Sequence, residues 1–158
     1  MAFVFDNVLR TPSLLNASSG PVIFSAITGP ITPDDIDRME ASTVIVRARH
    51  TRVAAVTLVS KSTPMPDKPT RERAAAAAKR SQGGFEVIVL TSGGLWSSAA
   101  RAVLTGIYLF SGKMDEHHVV TDIDEAVKIV SMHLPYDLEK TKAAATAFTA
   151  LLSTSAAA

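Results

Sequence analysis

The chain has 158 residues, of which 47% are hydrophobic and 20% are charged, a composition that excludes a disordered acidic or basic tail. Its formal net charge is only +1, so we expect no nucleic-acid partner, which would require a strong basic excess. Cysteine is absent, which excludes disulfides, thiol chemistry and cysteine-based zinc sites. The sequence has no recognisable signal peptide and no apolar run of bilayer length, and therefore predicts a cytoplasmic protein without membrane insertion.

The beginning of the chain predicts two strands separated by a turn. Phe3–Leu9 mixes apolar and polar residues loosely and is compatible with a first strand. Ser13–Gly20 is rich in Ser, Asn and Gly, a composition typical of a turn region. Pro21–Ile27 has the length and β-branched content of a second strand.

Helices and strands are predicted to alternate through the middle of the chain. Thr32 can cap a helix that Pro33 begins and that continues to about Arg49. The segments that follow are indicated by apolar runs, prolines and glycines, and in order they are a strand at Val53–Val59, a proline-rich loop at Ser60–Pro69, a helix at Thr70–Arg80, a strand at Phe85–Leu90 and a helix at Leu95–Phe110.

The last third of the chain predicts one more strand and two helices. His117–Val120 is a short strand, and Asp122 caps a helix that Pro135 ends. A final helix covers about Asp137–Leu152, and the small residues at 153–158 are expected to fray.

The predicted order is β-β-α-β-α-β-α-β-α with an extra C-terminal helix, which indicates an α/β fold. We expect a mixed, mostly parallel sheet of four to five strands, because strands that alternate with helices are joined by right-handed crossovers. Residues 1–134 would form this domain. The helix at 135–152 would pack on it or on a partner in a homodimer.

Three segments carry a resemblance to a known family: GPITPDDIDRME after the second strand, the proline-rich loop before PTRERAA, and RAVLTGIYLF followed by HHVVTDIDEAVKIV. On these segments, which span about Pro21–Leu134, the chain resembles the STAS domain of bacterial anti-sigma-factor antagonists and, more narrowly, small bacterial STAS-like proteins. The resemblance implies a STAS-like fold and a non-enzymatic signalling module that binds another protein, without a cofactor.

The resemblance also implies a phosphorylation switch near the start of the helix that follows the third strand. In this chain the region offers the hydroxyls of Ser60, Ser62, Thr63 and Thr70. A phosphate there would add nearly two negative charges and could change a docking surface. The alternative is that these are ordinary loop hydroxyls.

A second function is suggested by the strand-to-helix turn TSGGLW. Backbone amides at a helix start favour an anion, and ligands of open α/β sheets bind at such turns. The candidate residues of a small-molecule, nucleotide or anion sensor are therefore Ser92, Gly93, Gly94 and Trp96. The turn lacks the lysine of a P-loop, so a tight glycine turn is the alternative.

The segment DEHH at 115–118 holds potential metal ligands, namely Asp115, Glu116, His117 and His118. Adjacent residues of a strand point to opposite faces, so the two histidines would not converge on one ion. We therefore predict no metal site and no catalytic residue.

Overall fold

The computed structural model describes residues 2–61, 63–81, 84–91, 93–112 and 117–156. Within these residues it confirms the α/β class, with a mixed sheet of six strands and five helices. The strands are β1 (Asn7–Arg10), β2 (Leu14–Ser19), β3 (Val22–Ile27), β4 (Val53–Val59), β5 (Gly84–Leu90) and β6 (His117–Val120). The helices are α1 (Pro33–Arg47), α2 (Lys68–Arg80), α3 (Gly94–Ser111), α4 (Ile123–His133) and α5 (Leu138–Ala156).

The predicted number and order of strands are wrong, because the region that we expected to be a turn is a strand. Within Ser13–Gly20, the residues of β2 are completely buried and pair with both β1 and β3. The turn itself is confined to the end of this region, where Gly20 has a φ of 54°. The true order is therefore β-β-β-α-β-α-β-α-β-α-α.

The strands lie in the sheet in the order in which they occur in the sequence, from β1 to β6. The first three are antiparallel neighbours, and β3 to β6 are parallel. The three helices that connect the parallel strands contact one another in the order α1, α2, α3. Helices α4 and α5 form a second pair, which contacts the strands. The sheet thus has a crossover face, covered by α1–α3, and a second face, covered by α4 and α5.

Short-range capping explains where several helices begin. The hydroxyl of Thr32 accepts a hydrogen bond from the Asp35 amide at 3.3 Å, and the Asp35 carboxylate accepts one from the Thr32 amide at 3.0 Å. Asp67 and Asp122 each accept a hydrogen bond from the amide three residues later, at 2.9 and 2.8 Å. These contacts, reciprocal only at Thr32 and Asp35, satisfy amide groups that the first helical turn leaves without partners.

The second face of the sheet is filled by large apolar side chains. Phe148 of α5 is completely buried and stacks on Phe24 of β3, with ring centroids 5.6 Å apart. Alternate residues of the central strands, such as Val56 and Val87, belong to the same core cluster. The last helix therefore packs on the sheet of its own chain, and it extends to Ala156, into the segment that we expected to fray.

The apolar spacing of helix α3 predicts a buried face that includes Trp96 and Phe110 and an exposed face that includes Ser97. The structure differs at two positions, because Phe110 is 83% exposed and Ser97 is buried. Leu95 and Leu109 are exposed as well. Among the described residues, no helix is both long enough and apolar enough to cross a bilayer.

Candidate functional site

A cavity of about 470 Å³ lies between the crossover face of the sheet and helices α1–α3. It exists because the side chains that meet there are small. Helix α2 lines it with Ala74, Ala77 and Ala78, and β4 contributes Ala55 and Thr57. Since α2 contacts α1 and α3 rather than lying directly on the strands, these short side chains leave the space above the sheet unfilled.

Most of the cavity wall is apolar. The strands supply branched aliphatic side chains, and the helices and the loop before α2 supply aliphatic, thioether and aromatic groups, among them Ile23, Ile88, Met39, Met65, Trp96 and Ile107. A volume of this size and an apolar wall interrupted by a few polar groups are typical of pockets that bind small molecules.

One group of polar side chains lies on β2, β3 and α1. Asn16 of β2 donates from Nδ2 to the hydroxyl of Ser25 on β3 at 2.8 Å, and its Oδ1 accepts from the hydroxyl of Ser42 on α1 at 2.7 Å. All three residues are buried. Asn16 and Ser25 line the cavity, and their mutual hydrogen bonds compensate for the loss of water.

A second polar group surrounds Glu86 on β5. Its Oε1 accepts a hydrogen bond from the Thr57 hydroxyl at 2.9 Å, and its Oε2 accepts one from the Tyr108 hydroxyl at 2.8 Å. His117 lies opposite Glu86 in the sheet register, with its Nδ1 3.7 Å from Oε2. The His117 ring also stacks on Tyr108, at a centroid distance of 3.2 Å.

Burial changes the titration of this group. It raises the pKa of Glu86 above its ordinary value, although the hydrogen bonds from Tyr108 and Thr57 oppose the shift. Burial, together with the adjacent Glu86 carboxyl, raises the pKa of Tyr108 well above its ordinary value, so the phenol keeps its proton. A perturbed carboxyl that faces an apolar cavity is typical of a functional site.

Charged side chains line the cavity between the ends of α1 and α2. The guanidinium of Arg80 donates to both carboxylate oxygens of Glu40, at 2.7 and 2.6 Å, and this hydrogen bonding lowers the pKa of Glu40. Arg47 donates from Nη2 to the Ser81 hydroxyl at 2.6 Å. These contacts join the C-terminal part of α1 to that of α2.

The candidates for a phosphorylation switch are not gathered on an exposed surface. Thr63 and Thr70 are buried, and the Thr63 hydroxyl donates to the Ile27 carbonyl oxygen at 3.0 Å. Ser60 is half-buried, and Ser62 lies outside the described residues. A kinase would have to displace either threonine from its place beside the cavity.

The predicted anion turn is only partly brought together. Gly93 is the exposed N-cap of α3, Gly94 has a φ of 80°, and Ser92 lies outside the described residues. Trp96 instead turns inward, lines the cavity and donates from its indole nitrogen to the Thr63 carbonyl oxygen at 3.1 Å. Trp96 therefore lines the cavity, whereas Gly93 and Gly94 do not.

The two histidines diverge as the strand geometry predicts. His117 faces the cavity, whereas His118 lies near Phe85 on the second face. There the ring centroids of His118 and His133 are 5.4 Å apart. The part of the chain that the structure describes holds no group of three potential metal ligands. Asp115 and Glu116 lie outside that part.

The sequence analysis did not identify the residues of the Glu86 group as functional. One signal was present, because Glu86 is the single charged residue in the otherwise apolar strand FEVIVL. Its partners Thr57, Tyr108 and His117 come from three other elements, and only the strand register and the placement of α3 bring them together.

No protein-family model matches the chain, and no curated protein is significantly similar to it. The resemblance to STAS domains therefore stays a prediction.

Proposed function

We propose that this protein binds an apolar small molecule in the cavity under α1–α3. The observation that supports the proposal is the cavity itself, about 470 Å³ of space with apolar walls and a hydrogen-bonded carboxyl at its floor. Well-packed interiors leave few voids larger than a water molecule, so a space of this size with an apolar lining is suited to a small molecule. This proposal agrees with the sensor function that the sequence suggests. It differs in the position of the ligand, which would lie in the cavity instead of at the turn before α3.

The test uses a neutral apolar fluorophore, N-phenyl-1-naphthylamine, titrated into the purified protein. We expect saturable binding of one probe per chain. Trp96, the only tryptophan, lies in the cavity wall, so its emission should change over the same concentration range.

Two variants of α2 decide whether the probe binds in the cavity. Ala77→Leu places a larger side chain in the space and should weaken binding, whereas Ala76→Leu adds the same side chain on the same helix at a position that does not line the cavity. Equal binding by both variants, or no saturable binding to the unmodified protein, would contradict the proposal.

A second candidate function is the STAS-like protein-interaction module, with the chain itself as one candidate partner. It is favoured by the exposed side of α3, where Leu95, Leu109 and Phe110 face solvent. Self-association at micromolar concentration in sedimentation experiments, abolished by Phe110→Ser, would support it. A monomer that recovers no partner from native lysate would count against it.

A further inference from the structure

The polar side chains around Glu86 have already committed their hydroxyl protons. Thr57 and Tyr108 each donate to one carboxylate oxygen of Glu86. A hydroxyl has one proton but two lone pairs, so a hydroxyl that donates within the protein can offer a ligand only its acceptor capacity. The Thr57 and Tyr108 hydroxyls and the Glu86 carboxylate therefore present acceptors to the cavity.

Glu86 itself keeps acceptor capacity on the cavity side. An ionised carboxylate can accept about four hydrogen bonds, and two donors are seen here. Although Glu86 is enclosed by the protein, 27% of its side-chain surface is accessible, and the residue lines the cavity. This accessible surface is available to a donor group on a bound molecule.

The charges around the cavity favour a cation near Glu86. Glu40 and Arg80 neutralise each other, whereas Arg47 keeps its positive charge and donates to the Ser81 hydroxyl at the C-terminal end of α2. Among the described residues that line the cavity, Glu86 is the only other acid, and the basic side chain nearest to it is that of His117. A carboxylate head group placed at Glu86 would lie against the Glu86 carboxylate, where like charges repel strongly because the surroundings are apolar.

We propose that the molecule held in the cavity is an aliphatic amine, whose protonated nitrogen donates hydrogen bonds to the Glu86 carboxylate while its hydrocarbon part contacts the apolar wall. This inference rests on the proposed function, because it names the chemical class of the ligand for the same cavity. The ammonium group would donate protons to the remaining acceptor positions of Glu86 and place a full positive charge beside its carboxylate.

The experiment compares three ligands that each contain ten carbon atoms and carry different head groups: decylamine, decanol and decanoate. Binding is measured at neutral pH by calorimetry and by Trp96 emission. We expect decylamine to bind about tenfold or more tightly than decanol, since charge-assisted hydrogen bonds are the stronger kind, and decanoate to bind weakest.

The variant Glu86→Gln should reduce the affinity for decylamine to that for decanol and leave decanol binding unchanged. Glu139→Gln is the matched control, because it removes one carboxylate from the exposed surface of α5, and it should preserve the preference for the amine. Ala77→Leu should weaken the binding of all three ligands, which shows that they occupy the cavity rather than the surface.

The outcomes separate this inference from the proposed function. If decanol or decanoate binds as tightly as decylamine, the amine assignment is wrong, while cavity binding stands. The affinities of the three ligands are ranked on the unmodified protein, so this ranking tests the amine assignment even if Glu86→Gln does not fold. If neither the naphthylamine probe nor any decyl compound binds, the proposed function fails as well.

Discussion

The substitution Ala77→Leu should stabilise the unliganded protein, although most substitutions that alter a core destabilise it. Ala77 lies on the inner side of α2 and faces the cavity, so the added isobutyl group enters space that is already present instead of displacing neighbours. Leucine is also a good helix former, and α2 is helical throughout Lys68–Arg80.

The expected gain follows from the carbon atoms that become buried. Leucine adds three carbons to alanine, and burying each contributes about 0.8 kcal/mol, which is about 2.4 kcal/mol before ordering costs. Fixing the leucine side chain costs about 0.5–1 kcal/mol, so the net gain is about 1.5–2 kcal/mol. For a chain of 158 residues this corresponds to a rise in Tm of about 3–8 °C.

Urea denaturation, monitored by far-ultraviolet circular dichroism, measures this gain directly. Ala76→Leu is the control, because its side chain does not line the cavity, and it should change the free energy of unfolding by less than Ala77→Leu does. A loss of stability in Ala77→Leu, or equal changes in both variants, would show that the space under α2 is not open in solution.

Three further predictions address the Glu86 group, the α1–α2 contact and the second face. Burial raises the pKa of Glu86 in the folded state, so the folded protein binds that proton more tightly than the unfolded chain. Its stability should therefore fall as pH rises from about 4.5, the ordinary value, through the raised pKa, and Glu86→Gln should show less of this fall in urea denaturation. The hydrogen bond from Arg80 lowers the pKa of Glu40, so this pair stabilises the fold above pH 4.5 and loses its effect as pH falls through the lowered pKa. Glu40→Gln should cause only a small loss in the free energy of unfolding at neutral pH, and added salt should make that loss smaller. Phe148→Ala should cost about 3–5 kcal/mol in the same assay, because the ring is fully buried against Phe24, and a loss below about 1 kcal/mol would contradict the packing of α5 on the sheet.

Features that depend on neighbouring residues were predictable from the sequence, and features that depend on distant contacts were not. The caps at Thr32 and Asp122 involve residues three positions apart, so their side chains identify the helix starts. Strand β2 was missed because LLNASS has no β-branched residue and four of its six residues are small or polar. Its polar atoms can be buried because Asn16 finds hydrogen-bond partners on β3 and α1, which only the folded chain provides.

The cavity could not be predicted for a related reason. An alanine-rich helix such as α2 is usually compatible with close packing on a sheet, and nothing in its sequence indicates that it is held by α1 and α3 instead. The acid in FEVIVL was a local signal, but its meaning depends on Tyr108, which is 22 residues away and supplies the second hydroxyl.

Adjacent residues of β5 face opposite sides of the sheet, so the residues that pack the core are different from the residues that line the cavity. Val87 and Val89 belong to the tightly packed layer with Phe24, whereas Glu86 faces the cavity. Under the proposed function, exchanges among the alanines of α2 or at Glu86 would alter which molecules fit the cavity, while the packed layer stays as it is. Such a chain would change its ligand through a few positions without any change to its hydrophobic core.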